Sequence, residues 1–190
     1  SRVSQGHIGR ARHLATNETA RKNREIIMQI PFQLGSLSLA LEAAQTLVDI
    51  ATEEAKATTE NLNELEIEKL EEAYGKGATG RGMATGGSKA VKELERDQKA
   101  RTTRAIRDSI DGALLDLATF YRDLMMFQLG NEGVVINSEL ESHLMAQALK
   151  SNLPSIIHKM DAILKTRTQL TYNSAPLPSC EALMCSLAKP

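Results

Sequence analysis

A phosphate site built on glycine backbone would need a Lys and a hydroxyl at the end of a glycine-rich stretch. Gly75 to Ala90, GKGATGRGMATGGSKA, has both, with six of the twelve glycines in the chain. A phosphate loop has the form G-x-x-x-x-G-K-[ST]. Its backbone N–H groups wrap the phosphates, its Lys reaches the terminal ones and its hydroxyl holds Mg²⁺. The nearest match is Gly82 to Lys89, GMATGGSK, where Ser88 precedes Lys89 and inverts the required order. A strand should lead into such a loop. Instead Asn61 to Gly75, NLNELEIEKLEEAYG, has the Glu-rich pattern of a helix. The stretch therefore reads as a connection between helices, since glycine stops both and raises the cost of ordering.

Other chemistry fares no better. His7, His13, His143 and His158 are scattered, and none has a His or Cys three or four residues on. No H-x-x-x-H metal pair exists. There is no G-x-S-x-G elbow and no CxxC. Glu53 and Glu54 are adjacent, so on a helix they diverge by about 100° and do not form a carboxylate pair. Cys180 and Cys185 point to different faces of a helix, which disfavours a disulfide or a shared metal. The chain reads as non-catalytic, with no metal site, no cofactor and no small-molecule substrate.

The elements that would position any site are helices. Hydrophobic residues make up 42% of the 190, but aromatics only 3% and Trp is absent, so Leu, Ala, Ile and Met must fill the core. The net charge of −1 gives no global field for nucleic acid or an anionic membrane. No leader is read, and no apolar run nears the roughly 18 residues of a membrane span. A cytoplasmic protein with reduced cysteines is expected.

Periodicity predicts a first helix from near Ser4 over His7 to Leu14. Asn17 caps a second, which runs to about Gln29 and is stopped by Pro31. Ser36 or Ser38 starts a long third helix, with Leu39, Ala43, Leu47, Ile50 and Ala51 as its apolar stripe. A long fourth runs from Ser88 to about Leu129, basic at first and then apolar from Ile106 to Phe127. Gly130 and Gly133 end it. Gly133 to Asn137, GVVIN, is the one β-branched run and is too short for a sheet. Ser138, with Glu141 at the capping-box position, opens a fifth helix; Pro154 opens a sixth, and a last follows Pro176 and Pro178.

The two long helices predict an antiparallel arm over about 57–107, with a glycine-rich tip at 75–88. Glu60, Glu64, Glu66, Glu68, Glu71 and Glu72 would meet Lys89, Lys92, Arg96, Lys99, Arg101, Arg104 and Arg107. Leu62, Leu65 and Leu70 would form a thin seam against Val91 and Leu94. Exposed ion pairs of this kind fix register more than they stabilise.

Ser4 to Ala15, SQGHIGRARHLA, resembles the S-x-G-x-x-G-R-A-L-x-L stretch in the lid domain of clamp-loader ATPases. It is similar to the version in the delta-prime subunit family of bacterial DNA polymerase III. Gly6, Gly9, Arg10 and Ala11 match, whereas Arg12 and His13 depart from the usual Leu positions. Lys92 to Met125, KELERDQKARTTRAIRDSIDGALLDLATFYRDLM, resembles the long helix of that family's C-terminal region. Ala162 to Ala188 resembles its closing helices.

The resemblance implies a fragment: the end of an AAA+ lid domain over 1–30, then a helical collar domain over 31–190. It implies a non-catalytic part that holds clamp-loader subunits together while the sliding clamp is loaded on primed DNA. Partners would be the tau/gamma and delta subunits, with DNA and clamp met only indirectly. Gly6, Gly9 and Arg10 would be a vestigial nucleotide-sensing stretch. Leu140, Leu144, Ile157, Met160, Leu183 and Leu187 would supply the subunit interface. Two alternatives stay open: a helical scaffold unrelated to replication, and a nucleic-acid module using the basic helix 89–107.

Overall fold

The computed structural model describes residues 3, 4, 6–74, 87–130 and 135–189. Among these residues seven α-helices and one 3-10 turn form, with no strand. In order they are α1 (Ile8–Thr16), α2 (Glu18–Gln33), α3 (Leu37–Ala73), α4 (Gly87–Gln128), the 3-10 turn (Ser138–Leu140), α5 (Glu141–Ala148), α6 (Leu153–Thr171) and α7 (Pro176–Leu187). The protein is all-α, as its composition predicts. The glycine-rich tip up to residue 86, with its failed phosphate-loop match, and Gly133 with Val134 lie outside the described residues.

Local chemistry explains most helix ends. The Asn17 side chain accepts from the Ala20 N–H at 3.2 Å, and Asn152 accepts from Ser155 at 2.9 Å. Each is an N-cap that satisfies an orphan donor. Ser36 accepts from Leu39 at 3.3 Å and so starts α3. Gly130 takes φ +65° just past α4, where a side chain would be strained.

Two expectations need correction. Pro31 does not stop α2, which runs on to Gln33. Pro31 forfeits one N–H bond, but it lies in the last turn, and burial of Ile27, Met28 and Ile30 holds that turn in place. Ser138 does not form a capping box either; it opens the 3-10 turn, and α5 starts at Glu141 without a side-chain cap.

The chain divides into two compact units, Ser1–Ile50 with Ile110–Pro190, and Ala51–Ser109. α1 and α2 thus share a unit with α5, α6 and α7. In this first unit Ile110, Leu114, Leu117, Phe120 and Leu124 line the buried face of α4. The Phe32 and Phe120 rings meet edge to face, with centroids 5.1 Å apart. Met28, Leu144, Ile156, Ile163, Leu183 and Met184 complete the core, and α6 packs on α7.

The second unit is an antiparallel helix pair. Glu54 accepts from Ser109 at 2.5 Å, Thr59 meets Thr102 at 3.3 Å, and the Asn63 carbonyl accepts from Gln98 at 2.8 Å. Numbers rise along α3 as they fall along α4. Along α3 the buried stripe is Ala40, Ala44 and Leu47 in the first unit, then Ala51, Ala55 and Thr59 in the second; Leu47 and Ala51 were expected in it, the others not. Leu39 is exposed, and Ala43 and Ile50 are half-buried. That phase continues through Asn63 and Glu66 and leaves Leu62 and Leu65 about half exposed, at 49% and 52%. Leu62 and Leu65 thus fall outside the predicted seam, whereas Leu70, Val91 and Leu94 are half-buried and Leu70 and Leu94 line one groove; nearer Thr59 the seam is polar.

Within that seam Arg101 reaches Glu66 at 3.0 Å and Gln98 adds a second bond at 3.2 Å. The Arg101 hydrogen bond, then that of Gln98, holds the Glu66 carboxyl below its ordinary range. A depressed carboxyl pKa contributes stability above its unfolded value and loses it as pH falls through the folded one. Following the Glu66 carboxyl carbon by NMR should give a pKa below that of a free Glu. Arg101→Gln should move it upward; an unmoved value would show that Arg101 does not hold it.

Candidate functional site

The densest polar cluster lies in the first unit, on the face of α4 beside its apolar stripe. Asp116, Thr119 and Asp123 stand at i, i+3 and i+7, so one side of the helix presents all three. All three are buried. Arg10 from α1 pairs with Asp116 Oδ1 through Nη2 at 2.5 Å, and its Nη1 donates to the Gly112 carbonyl at 3.1 Å. Arg24 from α2 donates through Nε to the same Asp116 oxygen at 3.1 Å and through Nη1 to Glu139 at 2.7 Å. Its Nη2 donates to the Asn137 side-chain oxygen.

Asn137 is fully buried, and its amide nitrogen donates to Thr119 at 3.2 Å and to Asp123 Oδ2 at 2.9 Å. Asp123 also accepts the Ile136 and Asn137 backbone N–H groups, at 3.0 and 2.8 Å. Arg122 pairs with Asp123 at 2.7 Å. One hydrogen-bonded network thus joins α1, α2, α4 and the 3-10 turn.

Burial pushes the Asp116 carboxyl above its ordinary range, while Arg10 and Arg24 pull it back. Two guanidiniums on one buried carboxylate make a brace: each donor meets an acceptor that has left water. Asp123 spends its oxygens on backbone and side-chain donors in the same way. The cluster ties elements together and offers no nucleophile beside a base.

Of the sequence-predicted residues, Arg10 belongs to this cluster. Its partners are Asp116 and Gly112, and its side chain is 19% exposed. Gly6 takes φ +86°, which only glycine adopts freely. Gly9 sits in α1, where an added Cβ would meet nothing within 4 Å. Only Arg10 of the three reaches the cluster. The expected interface set splits. Leu140, Leu144, Leu183 and Leu187 are covered by their own unit, so they are core and not interface. Ile157 is exposed and Met160 half-buried. With Leu164, also exposed, they form a stripe at i, i+3 and i+7 on α6.

Arg24, Asp116, Asp123 and Asn137 were not among the residues expected to matter. A signal existed: two aspartates seven apart, flanking a Thr, interrupt the apolar half of α4. A charge in such a run needs a partner.

Cys180 is buried and Cys185 half-buried, and both are free. Burial, with Glu181 adding, pushes the Cys180 thiol up to about 12, so it stays an inert thiol. In the second unit an open groove of about 550 Å³ is lined by Leu70, Ala73, Ala90 and Leu94 with Glu66, Lys69, Glu93 and Asp97. Among the described residues no group of three His, Cys, Asp or Glu could hold a metal ion, and no helix is long and apolar enough to cross a membrane.

Comparison with protein-family models, with curated proteins and with solved structures found no match.

Proposed function

We propose that this chain is a non-catalytic, oligomerising part of a bacterial clamp loader in the cytoplasm. It would hold the tau/gamma and delta subunits together through a helical collar while the sliding clamp is loaded on primed DNA. The reading rests on the resemblance of residues 4–15, 92–125 and 162–188 to the delta-prime family. The structural observation that supports it most is the stripe on α6 of exposed Ile157 and Leu164 with half-buried Met160 between them. An apolar stripe on an otherwise packed helix is a surface a partner helix can cover. Arg10 fits the same reading, because an arginine braced on Asp116 serves structure and not a nucleotide motor.

The test is assembly. The chain should co-purify with tau/gamma or delta subunits. Ile157→Asp and Leu164→Asp should keep the helical circular-dichroism signal and the melting temperature while losing that association. A charge costs little on an exposed face and several kcal/mol in a dry interface. If the unaltered chain fails to co-purify, the clamp-loader reading falls. If both folded variants still assemble, α6 is not the interface.

A further inference from the structure

The charges of the second unit do not pair off across its seam. Glu66 and Arg101 turn inward to each other. Glu60, Glu64, Glu68 and Glu72 follow at every fourth position on α3. Lys89, Lys92, Arg96 and Lys99 follow at three- and four-residue steps on α4. All eight are exposed, and none of them forms an ion pair among the described residues.

With about 100° per residue, each set makes one continuous stripe. Each stripe centres roughly 150° around its helix from the seam, so it lies on the outer face. One helix of the pair thus shows an acidic outer face and the other a basic one. Their lengths agree, about 18 Å for the acidic stripe and about 15 Å for the basic one at 1.5 Å per residue. Like charges four apart on a helix repel, and an opposite stripe laid alongside relieves both.

We propose that these stripes are a self-association surface: the acidic stripe of α3 docks along the basic stripe of α4 in a second copy of this chain. Charge complementarity argues for a copy. Both required faces are on the same molecule, and the net charge of −1 sets up little repulsion between copies. The contact is heterologous, so copies add head to tail and association grows with concentration. This inference does not depend on the clamp-loader reading.

Sedimentation velocity on the full chain tests it. Association should appear at low salt and weaken by about tenfold or more at high salt, since the contact is between exposed charges. A variant with Lys89→Glu, Lys92→Glu, Arg96→Glu and Lys99→Glu should be monomeric. So should one with Glu60→Lys, Glu64→Lys, Glu68→Lys and Glu72→Lys. Mixed together, the two should associate. Should a reversed variant lose helical signal, Gln at the same four positions serves instead, and association must then fall away. The proposal is overturned if the unaltered chain stays monomeric at low salt, or if folded reversed variants fail to associate on mixing. It is also overturned if the chain binds a DNA duplex through the basic stripe while remaining a monomer.

Discussion

Leu183→Asp and Leu144→Asp are each expected to abolish the cooperative thermal transition of the chain. Leu144 is 0% exposed and Leu183 is 2% exposed, both inside the first unit. An aspartate there must either ionise without a partner or bind a proton at neutral pH, and it leaves a smaller side chain in a packed core. The two penalties together amount to several kcal/mol. A domain of this size has about 5–15 kcal/mol in total. Circular dichroism and a melting scan would check it. A sharp transition within a few degrees of the parent would show that the two leucines are not core. The contrast with Ile157→Asp gives the experiment its resolution: the same charge should be nearly silent at the exposed site.

Asp116→Ala should cost about 3–5 kcal/mol, the range for removing one member of a buried ionic cluster. It removes the carboxylate shared by the Arg10 and Arg24 guanidiniums, whose side chains are 19% and 11% exposed, and leaves Arg10 only the Gly112 carbonyl and Arg24 only Glu139 and Asn137. For a chain of this length that loss corresponds to a fall in melting temperature of roughly 10 °C. Arg10→Met alone should cost less than Asp116→Ala, because Asp116 keeps Arg24. Combining Arg10→Met with Asp116→Ala should cost less than the sum of the two, since both remove the same pair. Strict additivity in that cycle would mean that Arg10 and Asp116 do not interact.

The helices were legible in the sequence because their signals are local. Asn17 caps α2, Pro154 and Pro176 open the last two helices, and the apolar period of Ile110 to Leu124 marks the core face of α4. Pro31 misled because its helix-stopping effect depends on position, and in the last turn the neighbouring burial outweighs one lost bond. Leu62 and Leu65, chosen by type, misplaced part of the seam of the second unit. The phase that α3 carries forward from Ala51 and Ala55 decides which residues face inward, and it selects Thr59, Asn63 and Glu66.

The polar cluster was harder. Arg10 and Asp116 stand 106 positions apart, and no local pattern encodes that pairing. The interface leucines show the same limit, since periodicity says that a face is apolar and not whether its own chain covers it.

The alanines of α3 bear on a quantity apart from contact geometry, the conformational freedom surrendered on folding. Ala40, Ala44, Ala51 and Ala55 have no rotamers to lose, so burying them costs only backbone entropy. Glu66, Gln98 and Arg101 are the opposite case. Each surrenders rotamer freedom when its side chain is fixed. Their hydrogen bonds, formed where water can compete, return about as much. The polar seam therefore adds little net stability to the helix pair. It selects one alignment out of many that a smooth alanine face would accept almost equally, and the long side chains act as an index that the small ones lack.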